Sequence, residues 1–197
     1  MSDPKDVRAE LDALRWEVSR LAAELTDMRA HASLLEALAQ EDPLTGLLNR
    51  RGFFRDLARA VAHRTRYGTN VAVLLADLDA FKPINDTYGH EAGDKALVHL
   101  AALLRSTVRS SDSVGRLGGD EFGVILWHAE EAVARQKARS LEILIAGSPL
   151  PWEGSTLRLG CSIGVAALET ADTAEDALAR ADRAMYGRKL ERSKLAR

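Results

Sequence analysis

The chain has 197 residues, of which 46% are hydrophobic and 28% are charged, and its formal net charge of −2 argues against a nucleic-acid-binding protein, which is usually basic. The single cysteine, Cys161, excludes an internal disulfide and favours a reducing compartment. No apolar run is long enough to span a bilayer and the charged N-terminus is unlike a signal peptide, so we expect a cytoplasmic protein without a membrane segment.

The first forty residues carry a heptad pattern of apolar side chains. The steps alternate between three and four, and neither Gly nor Pro interrupts residues 5–42. A single helix cannot bury such a seam alone, so the pattern favours a parallel dimeric coiled coil over a helix folded back on its own domain. We therefore assign residues 1–40 to a signalling helix. The apolar positions are Leu11, Leu14, Val18, Leu21, Leu25, Met28, Ala32, Leu35 and Ala39.

The remaining residues, 41–197, predict a globular domain that opens with a break and a helix. Pro43 and Gly46 punctuate the break. Asn49 is placed to cap a helix that runs to about Arg66.

A predicted strand at residues 71–76 runs into Asp77-Leu78-Asp79. Its continuously apolar sequence is typical of a strand covered on both faces. Acidic residues at the end of a buried strand point into a cleft in many α/β folds. Pro83 and Gly89 then limit helix formation, and residues 91–106 have the periodicity of an amphipathic helix.

An acidic double-glycine segment, Gly118-Gly119-Asp120-Glu121, lies between two apolar stretches and predicts two strands joined by a tight turn. Adjacent glycines allow a bulky anion to approach the backbone. Carboxylates beside a phosphate-sized gap imply a cation between them and the phosphate, which suggests a Mg²⁺-dependent nucleotide site. A motif this short, taken alone, favours a plain Asp-Glu turn.

The last third of the chain predicts a helix, a turn, a strand and a helix. Residues 130–146 are amphipathic, and residues 147–155 contain two prolines and a tryptophan, which predicts an irregular turn. Strict alternation from Leu157 predicts a strand whose dense core face includes Cys161, and Thr173 is placed to cap the last helix. The element order predicts a mixed sheet of about five strands packed by helices, an α/β or α+β sandwich.

Three separated segments together resemble the GGDEF-domain diguanylate cyclases of bacteria. The resemblance covers roughly residues 41–190 and implies a domain related to the palms of nucleotidyl cyclases and polymerases. It also implies condensation of two GTP into cyclic di-GMP with release of two pyrophosphates. The segments are Asp42-Pro43-Leu44-Thr45-Gly46-Leu47-x-Asn49-Arg50, Asp77-Leu78-Asp79-x-Phe81-Lys82-x-x-Asn85-Asp86-x-x-Gly89-His90-x-x-Gly93-Asp94, and Gly118-Gly119-Asp120-Glu121-Phe122.

The resemblance also implies the metal and catalytic residues. Asp77 and Asp120, with the Leu78 carbonyl, match the Mg²⁺ ligands of the family, and Glu121 is expected to share the metal. Hard oxygen ligands suit Mg²⁺, with Mn²⁺ as the alternative ion. The proton acceptor falls at Asp120 or Glu121, and Lys82 matches a lysine that contacts phosphate and stabilises charge.

Asn85 and Asp94 match the guanine-reading residues of the family, because an amide and a carboxylate together pair with edges that adenine lacks. His90 beside them either contacts substrate or is a structural histidine at a helix entry. Backbone N–H groups near Ala80 are expected to cradle phosphates. The other substrate-binding positions that the resemblance implies are Phe81, Gly118, Gly119 and Lys189.

One segment departs from the family pattern. After the last helix the family often shows Tyr-x-Ala-Lys-x-x-Gly-Arg-Asn, whereas this chain has Tyr186-Gly187-Arg188-Lys189-Leu190-Glu191-Arg192-Ser193-Lys194. Lys189 aligns with the triphosphate lysine. Ser193 takes the arginine position, so Arg192 or Lys194 would have to substitute.

Arg109-x-x-Asp112 precedes Gly118 by the spacing of the family's product-inhibition site. An arginine fork binds phosphate and guanine edges, and an aspartate accepts from guanine. The alternative is an incidental surface pair at a helix end.

The implied reaction needs two domains face to face, because each holds one GTP. The coiled coil would supply this homodimer by raising the effective concentration of the partner domain. The alternatives are a catalytically silent receptor for GTP or cyclic di-GMP, an adenylyl-type cyclase, and a coiled-coil assembly module. The intact acidic turn argues against the first, and the paired guanine readers argue against the second.

Overall fold

The computed structural model describes residues 4–38 and 40–195, apart from the side chains of residues 191–195 and of several positions in the first helix. The chain divides into two compact units, Met1–Ala39 and Gln40–Arg197. Among the described helices, none combines the length and the apolar character needed to cross a membrane.

The first unit is one helix, α1 (Pro4–Leu38). Six of its predicted seam positions have exposed side chains: Leu14, Val18, Leu21, Leu25, Met28 and Leu35. Ion pairs from Arg20 to Glu17 and Glu24 stabilise the helix surface. The side chains of Leu11 and Ala32, and all of Ala39, lie outside the described residues, and the coiled-coil pairing stays a prediction.

The second unit is built on a four-stranded antiparallel sheet in the order β2-β3-β1-β6. The α/β class is therefore confirmed, but the expected mixed sheet of about five strands is wrong in detail. Within the described residues the one parallel contact is an isolated bridge between Leu48 and Gly115. The strands are β1 (Val71–Asp79), β2 (Ser113–Gly118), β3 (Glu121–Trp127) and β6 (Gly160–Ala167).

Helices cover both faces of this sheet, as the apolar sequence of β1 predicted. Alternate β1 side chains enter two cores: Leu74 packs on the side of α4 and α5, and Val73 packs on the side of α2 and α6. Asn49 caps α2 by accepting the Gly52 N–H, as predicted. The helices are α2 (Arg50–Tyr67), α3 (Phe81–Tyr88), α4 (His90–Ser106), α5 (Glu131–Ala146) and α6 (Ala174–Leu195).

Two local predictions are wrong. The segment limited by Pro83 forms the short helix α3, because proline in the first turn of a helix removes no intrahelical hydrogen bond. The supposed irregular turn forms a small hairpin of β4 (Leu150–Trp152) and β5 (Ser155–Leu157). Glu153 and Gly154 between these strands both have positive φ, 43° and 77°, which suits a tight hairpin turn. The long strand consequently begins at Gly160 rather than at Leu157.

The last helix approaches the sheet closely at Gly164 in β6. A Cβ atom added to Gly164 would lie 2.0 Å from the Ala181 carbonyl oxygen and 2.4 Å from the Met185 nitrogen. Because those atoms belong to the backbone of α6, the helix can take this position only over a glycine.

We expect Gly164→Ala to displace α6 and to lower the free energy of unfolding by about 1–3 kcal/mol or more. Urea unfolding followed by circular dichroism measures the change. Gly187→Ala on α6 is the matched control, because a Cβ there meets no atom within 4 Å and alanine favours a helix. Equal effects from both substitutions would contradict the close approach.

Candidate functional site

The double-glycine turn has the predicted hairpin geometry. Gly118 pairs with Glu121 across the turn, and the glycines have φ values of 148° and 52°. The positive φ of Gly119 is a conformation that other residues adopt only with strain. The turn therefore presents Asp120 and Glu121 at one end of the central sheet.

A brace that we did not predict from the sequence holds this turn. Arg116 donates from Nε and Nη2 to the Gly119 carbonyl oxygen at 3.0 and 2.8 Å. Its Nη1 lies 3.4 Å from the carboxylate of Asp42, which also accepts from the N–H and hydroxyl of Thr45 at 2.9 and 2.7 Å. The first of the three motif segments thus supports the third.

The pKa of Asp42 shows that this brace favours the ionised carboxylate. Burial alone would raise that pKa, but the Thr45 bonds and the Arg116 charge outweigh burial and lower it. The signal available in the sequence was the position of both residues at the borders of the motif segments.

Strand pairing brings the predicted metal ligands together. Asp77 at the end of β1 lies directly opposite Glu121 at the start of β3. The Leu78 N–H donates to the Asp120 carbonyl oxygen at 3.3 Å. These four residues therefore lie together at one end of the β1–β3 pair.

Asp77 is only 8% exposed, and its pKa is raised. Burial raises this pKa first, and the charges of Asp120 and Asp79 raise it further. The bond from Lys189 opposes the rise without cancelling it. Burial likewise raises the pKa of Glu121, with contributions from Asp77, Asp120 and Asp182 that the charge of Arg50 only partly offsets.

The ammonium group of Lys189 forms an ion pair with Asp77. Its Nζ lies 2.6 Å from Asp77 Oδ1, across 112 residues of sequence. Burial alone would lower the pKa of Lys189, but the Asp77 bond and the charges of Asp120 and Asp79 raise it. The expected phosphate lysine thus contacts an expected metal ligand. The side chains of Arg192, Ser193 and Lys194 lie outside the described residues.

The donor set at this end of the sheet fits a hard divalent cation. Asp77, Asp120 and Glu121 supply carboxylate oxygens, and Leu78 supplies a carbonyl oxygen. In the described part of the chain, no group of three or more Asp, Glu, His or Cys side chains is arranged so that it could hold a metal ion without further ligands. Mg²⁺ does not need one, because it is usually held by one or two carboxylates together with substrate phosphates and water. The ligand assignment stays a prediction.

A second feature, next to β1, suits an anion. Ala80 adopts the left-handed conformation, with φ 57° and ψ 30°, at the start of α3, where no side chain caps the helix. Uncapped N–H groups at a helix N-terminus attract phosphate, and a strained residue of this kind is common at functional sites. Phe81 and the exposed Lys82 are the first residues of α3.

The predicted guanine readers lie at the corner between α3 and α4. His90 and Asp94 are exposed and lie one turn apart on α4. A Cβ atom added to Gly93 would lie 1.9 Å from Asn85 Oδ1, so the Asn85 side chain occupies the space that Gly93 leaves open. Gly93 is a further positioning residue that we did not identify from the sequence, although it stands inside the motif.

The predicted inhibitory residues lie elsewhere, in the connection between α4 and β2. The Asp112 carboxylate accepts the N–H groups of Arg109 and Trp127 at 2.9 and 3.0 Å, so it shapes the loop and is not an ion-pair partner of the Arg109 guanidinium. The exposed Arg109 lines a groove of about 720 Å³ together with Arg59 and Arg105. A groove with three arginines can accept phosphates.

Because the ionised form of Glu121 is disfavoured in the folded state, Glu121→Gln should stabilise the metal-free protein at pH 7, raising Tm by about 1–3 °C. The raised pKa means that stability is lost as pH rises through it, so the gain should vanish below the ordinary glutamate pKa of about 4.3. Thermal unfolding with a chelator measures both effects. Added Mg²⁺ should abolish the gain in Tm. A lower Tm for the variant than for the wild type at pH 7 would contradict the disfavoured ionisation of Glu121.

Known proteins are similar to this chain in both sequence and fold. The family model described as "Diguanylate cyclase, GGDEF domain" matches residues 39–194. The diguanylate cyclase DgcP of Pseudomonas aeruginosa is 36% identical over 182 residues, which cover 92% of this chain. They cover 27% of DgcP, so the chain spans about a quarter of that relative's length.

Two solved structures from Caulobacter crescentus are also similar. A sensory box/GGDEF family protein is 41% identical with a TM-score of 0.73, over 78% of this chain and 99% of that chain. The coiled coil and GGDEF domain of DgcB, in complex with c-di-GMP, is 26% identical with a TM-score of 0.74, over 91% of this chain and 95% of that chain.

Proposed function

The chain belongs to the GGDEF family, and from that premise we propose that it is a diguanylate cyclase that condenses two GTP into cyclic di-GMP. The observation that carries the proposal is the meeting of Asp77, Asp120 and Glu121 at one end of the sheet, beside the uncapped start of α3. Oxygen ligands next to an anion-binding backbone match the needs of a metal-bound triphosphate.

The metal ligands would be Asp77, Asp120, Glu121 and the Leu78 carbonyl. Mg²⁺, or Mn²⁺ in its place, supplies Lewis-acid chemistry when bound: it makes a 3′-hydroxyl more acidic and neutralises charge on the α-phosphate and on the pyrophosphate. Burial, and after it the charges of neighbouring carboxylates, raise the pKa values of Asp77 and Glu121, and a bound cation would favour the ionised form of both.

The other residues bind and orient GTP. Asn85 on α3 and Asp94 on α4 read the guanine edge, with His90 one turn before Asp94 on α4. Lys82 and Lys189 contact phosphates, and Lys189 can exchange its bond with Asp77 for a phosphate oxygen once a cation neutralises that carboxylate. The phosphates lie against the N–H groups at the start of α3 and against the glycine turn.

The chemical step joins two nucleotides held by two copies of the domain. The 3′-hydroxyl oxygen of one GTP forms a bond to the α-phosphorus of the other, the α–β phosphoanhydride breaks, and pyrophosphate leaves. Asp120 or Glu121 accepts the hydroxyl proton. A second, symmetric attack closes the ring.

Dimerisation through α1 would bring the two domains together. Its exposed apolar seam supports this role, since a helix of 35 residues with such a seam gains stability by pairing with a second copy. Two linked domains then meet at high effective concentration.

Incubation of the chain with GTP and Mg²⁺, followed by chromatography of the nucleotides, tests the proposal. Cyclic di-GMP and pyrophosphate should appear from GTP and not from ATP. A silent receptor would bind GTP or cyclic di-GMP and form no product, and turnover of ATP would indicate an adenylyl-type cyclase.

Asp120→Asn should abolish turnover, by about 10³-fold or more, because it removes a metal ligand and one candidate proton acceptor. The far-ultraviolet circular dichroism spectrum should not change. Glu153→Gln is the matched control, because this exposed carboxylate lies in the β4–β5 turn. Normal turnover by Asp120→Asn would remove the metal role of Asp120.

Arg109→Ala should relieve inhibition by added cyclic di-GMP, with an inhibition constant raised about tenfold or more, because a phosphate-binding fork is lost from the groove. The initial rate without product should stay unchanged. Arg158→Ala, an exposed arginine between β5 and β6, should leave the inhibition constant as it is. Unchanged inhibition of the Arg109 variant would remove this groove as the product site.

A further inference from the structure

A buried carboxylate on α5 lies outside the site described above. Glu142 is 4% exposed, although a carboxylate at such depth is costly unless it is paired and hydrogen-bonded. Its Oε1 accepts the Ile163 N–H at 3.1 Å. Ile163 belongs to β6, an edge strand of the sheet, so Glu142 occupies part of the open edge of that strand.

Arg188 on α6 completes the arrangement as a two-point fork. Its Nε donates to Glu142 Oε1 at 3.1 Å, and its Nη2 donates to Glu142 Oε2 at 2.5 Å. A bidentate guanidinium–carboxylate pair fixes orientation as well as distance. The fork therefore joins α5, β6 and α6 at one point.

The fork lies one residue before Lys189. Successive helical residues point about 100° apart, so the direction that Arg188 takes also decides where Lys189 points. Lys189 reaches Asp77 Oδ1 at 2.6 Å. One turn earlier, the contact of Met185 with Gly164 fixes the distance of α6 from the sheet. The contact at Gly164 does not set the rotation of α6 about its own axis, and the fork adds that constraint.

We propose that the Glu142–Arg188 fork is a positioning device that sets the rotation of α6 and so holds the Lys189 ammonium over Asp77, at the cation end of the nucleotide site. The inference rests on the proposed function for its consequence in catalysis. Neither Glu142 nor Arg188 touches the substrate; both act through Lys189.

The sharpest variant removes both members of the fork at once, Glu142→Gln with Arg188→Met. Removing Arg188 alone would leave a buried carboxylate uncompensated, whereas the double variant also removes that charge. The glutamine oxygen can still accept the Ile163 N–H. Arg183→Met is the matched control, because Arg183 lies exposed on the same helix and forms no ion pair among the described residues.

The first measurement is kcat/KM for GTP at saturating Mg²⁺. The fork variant should lose about tenfold, since small displacements of a positioned group reduce rates steeply. In a Lys189→Met background the same two substitutions should cause no further loss, because the fork acts through Lys189. Additive losses would show a merely structural role and overturn the proposal, as would full activity in the fork variant.

The second measurement does not depend on turnover. In ¹⁵N-lysine-labelled protein, the ammonium signal of Lys189, assigned by its disappearance in Lys189→Met, reports the bond with Asp77. The signal should be lost or shifted in the fork variant and unchanged in Arg183→Met. An unchanged Lys189 signal in the fork variant would overturn the positioning role. A wild-type protein without cyclase activity would instead overturn the proposed function and leave this measurement valid.

Discussion

Crowding of like charge at one end of the central strand pair is the constraint on which the rest of the structure depends. Asp77 and Glu121 are held opposite each other by strand pairing, with Asp120 and Asp79 nearby and one lysine bonded to Asp77. Such a cluster opposes its own ionisation. It persists because the surrounding packing fixes the backbone, which is the usual condition for a destabilised site kept for function.

Three separate devices hold that backbone. Arg116, paired with Asp42, donates to a carbonyl oxygen of the glycine turn. The left-handed conformation of Ala80 starts α3 directly after β1. Gly93 leaves room for the side chain of Asn85. Each device lies beside the proposed ligand positions and acts on a different element. A site built on paired strands and packed helix ends can keep its geometry before any ligand arrives, which lowers the cost of ordering on binding.

Local sequence pattern predicted much of the framework. The apolar run of β1 and the caps at Asn49 and Thr173 were each confirmed, because period and capping depend on residues close in the chain. The hairpin at residues 150–157 and the helix α3 were missed. Proline and glycine there signal a break, whereas their positions within a turn decide whether structure continues.

The sequence by itself determined which chemical groups the chain has and which elements carry them, including the acidic turn and the proposed guanine-reading pair. Only the tertiary structure decided which charges meet. Lys189 contacts Asp77 across 112 residues, and Glu142 contacts Arg188 across 46. Electrostatic energy depends on distance in space, and strand register and helix packing set that distance through contacts that no local pattern encodes.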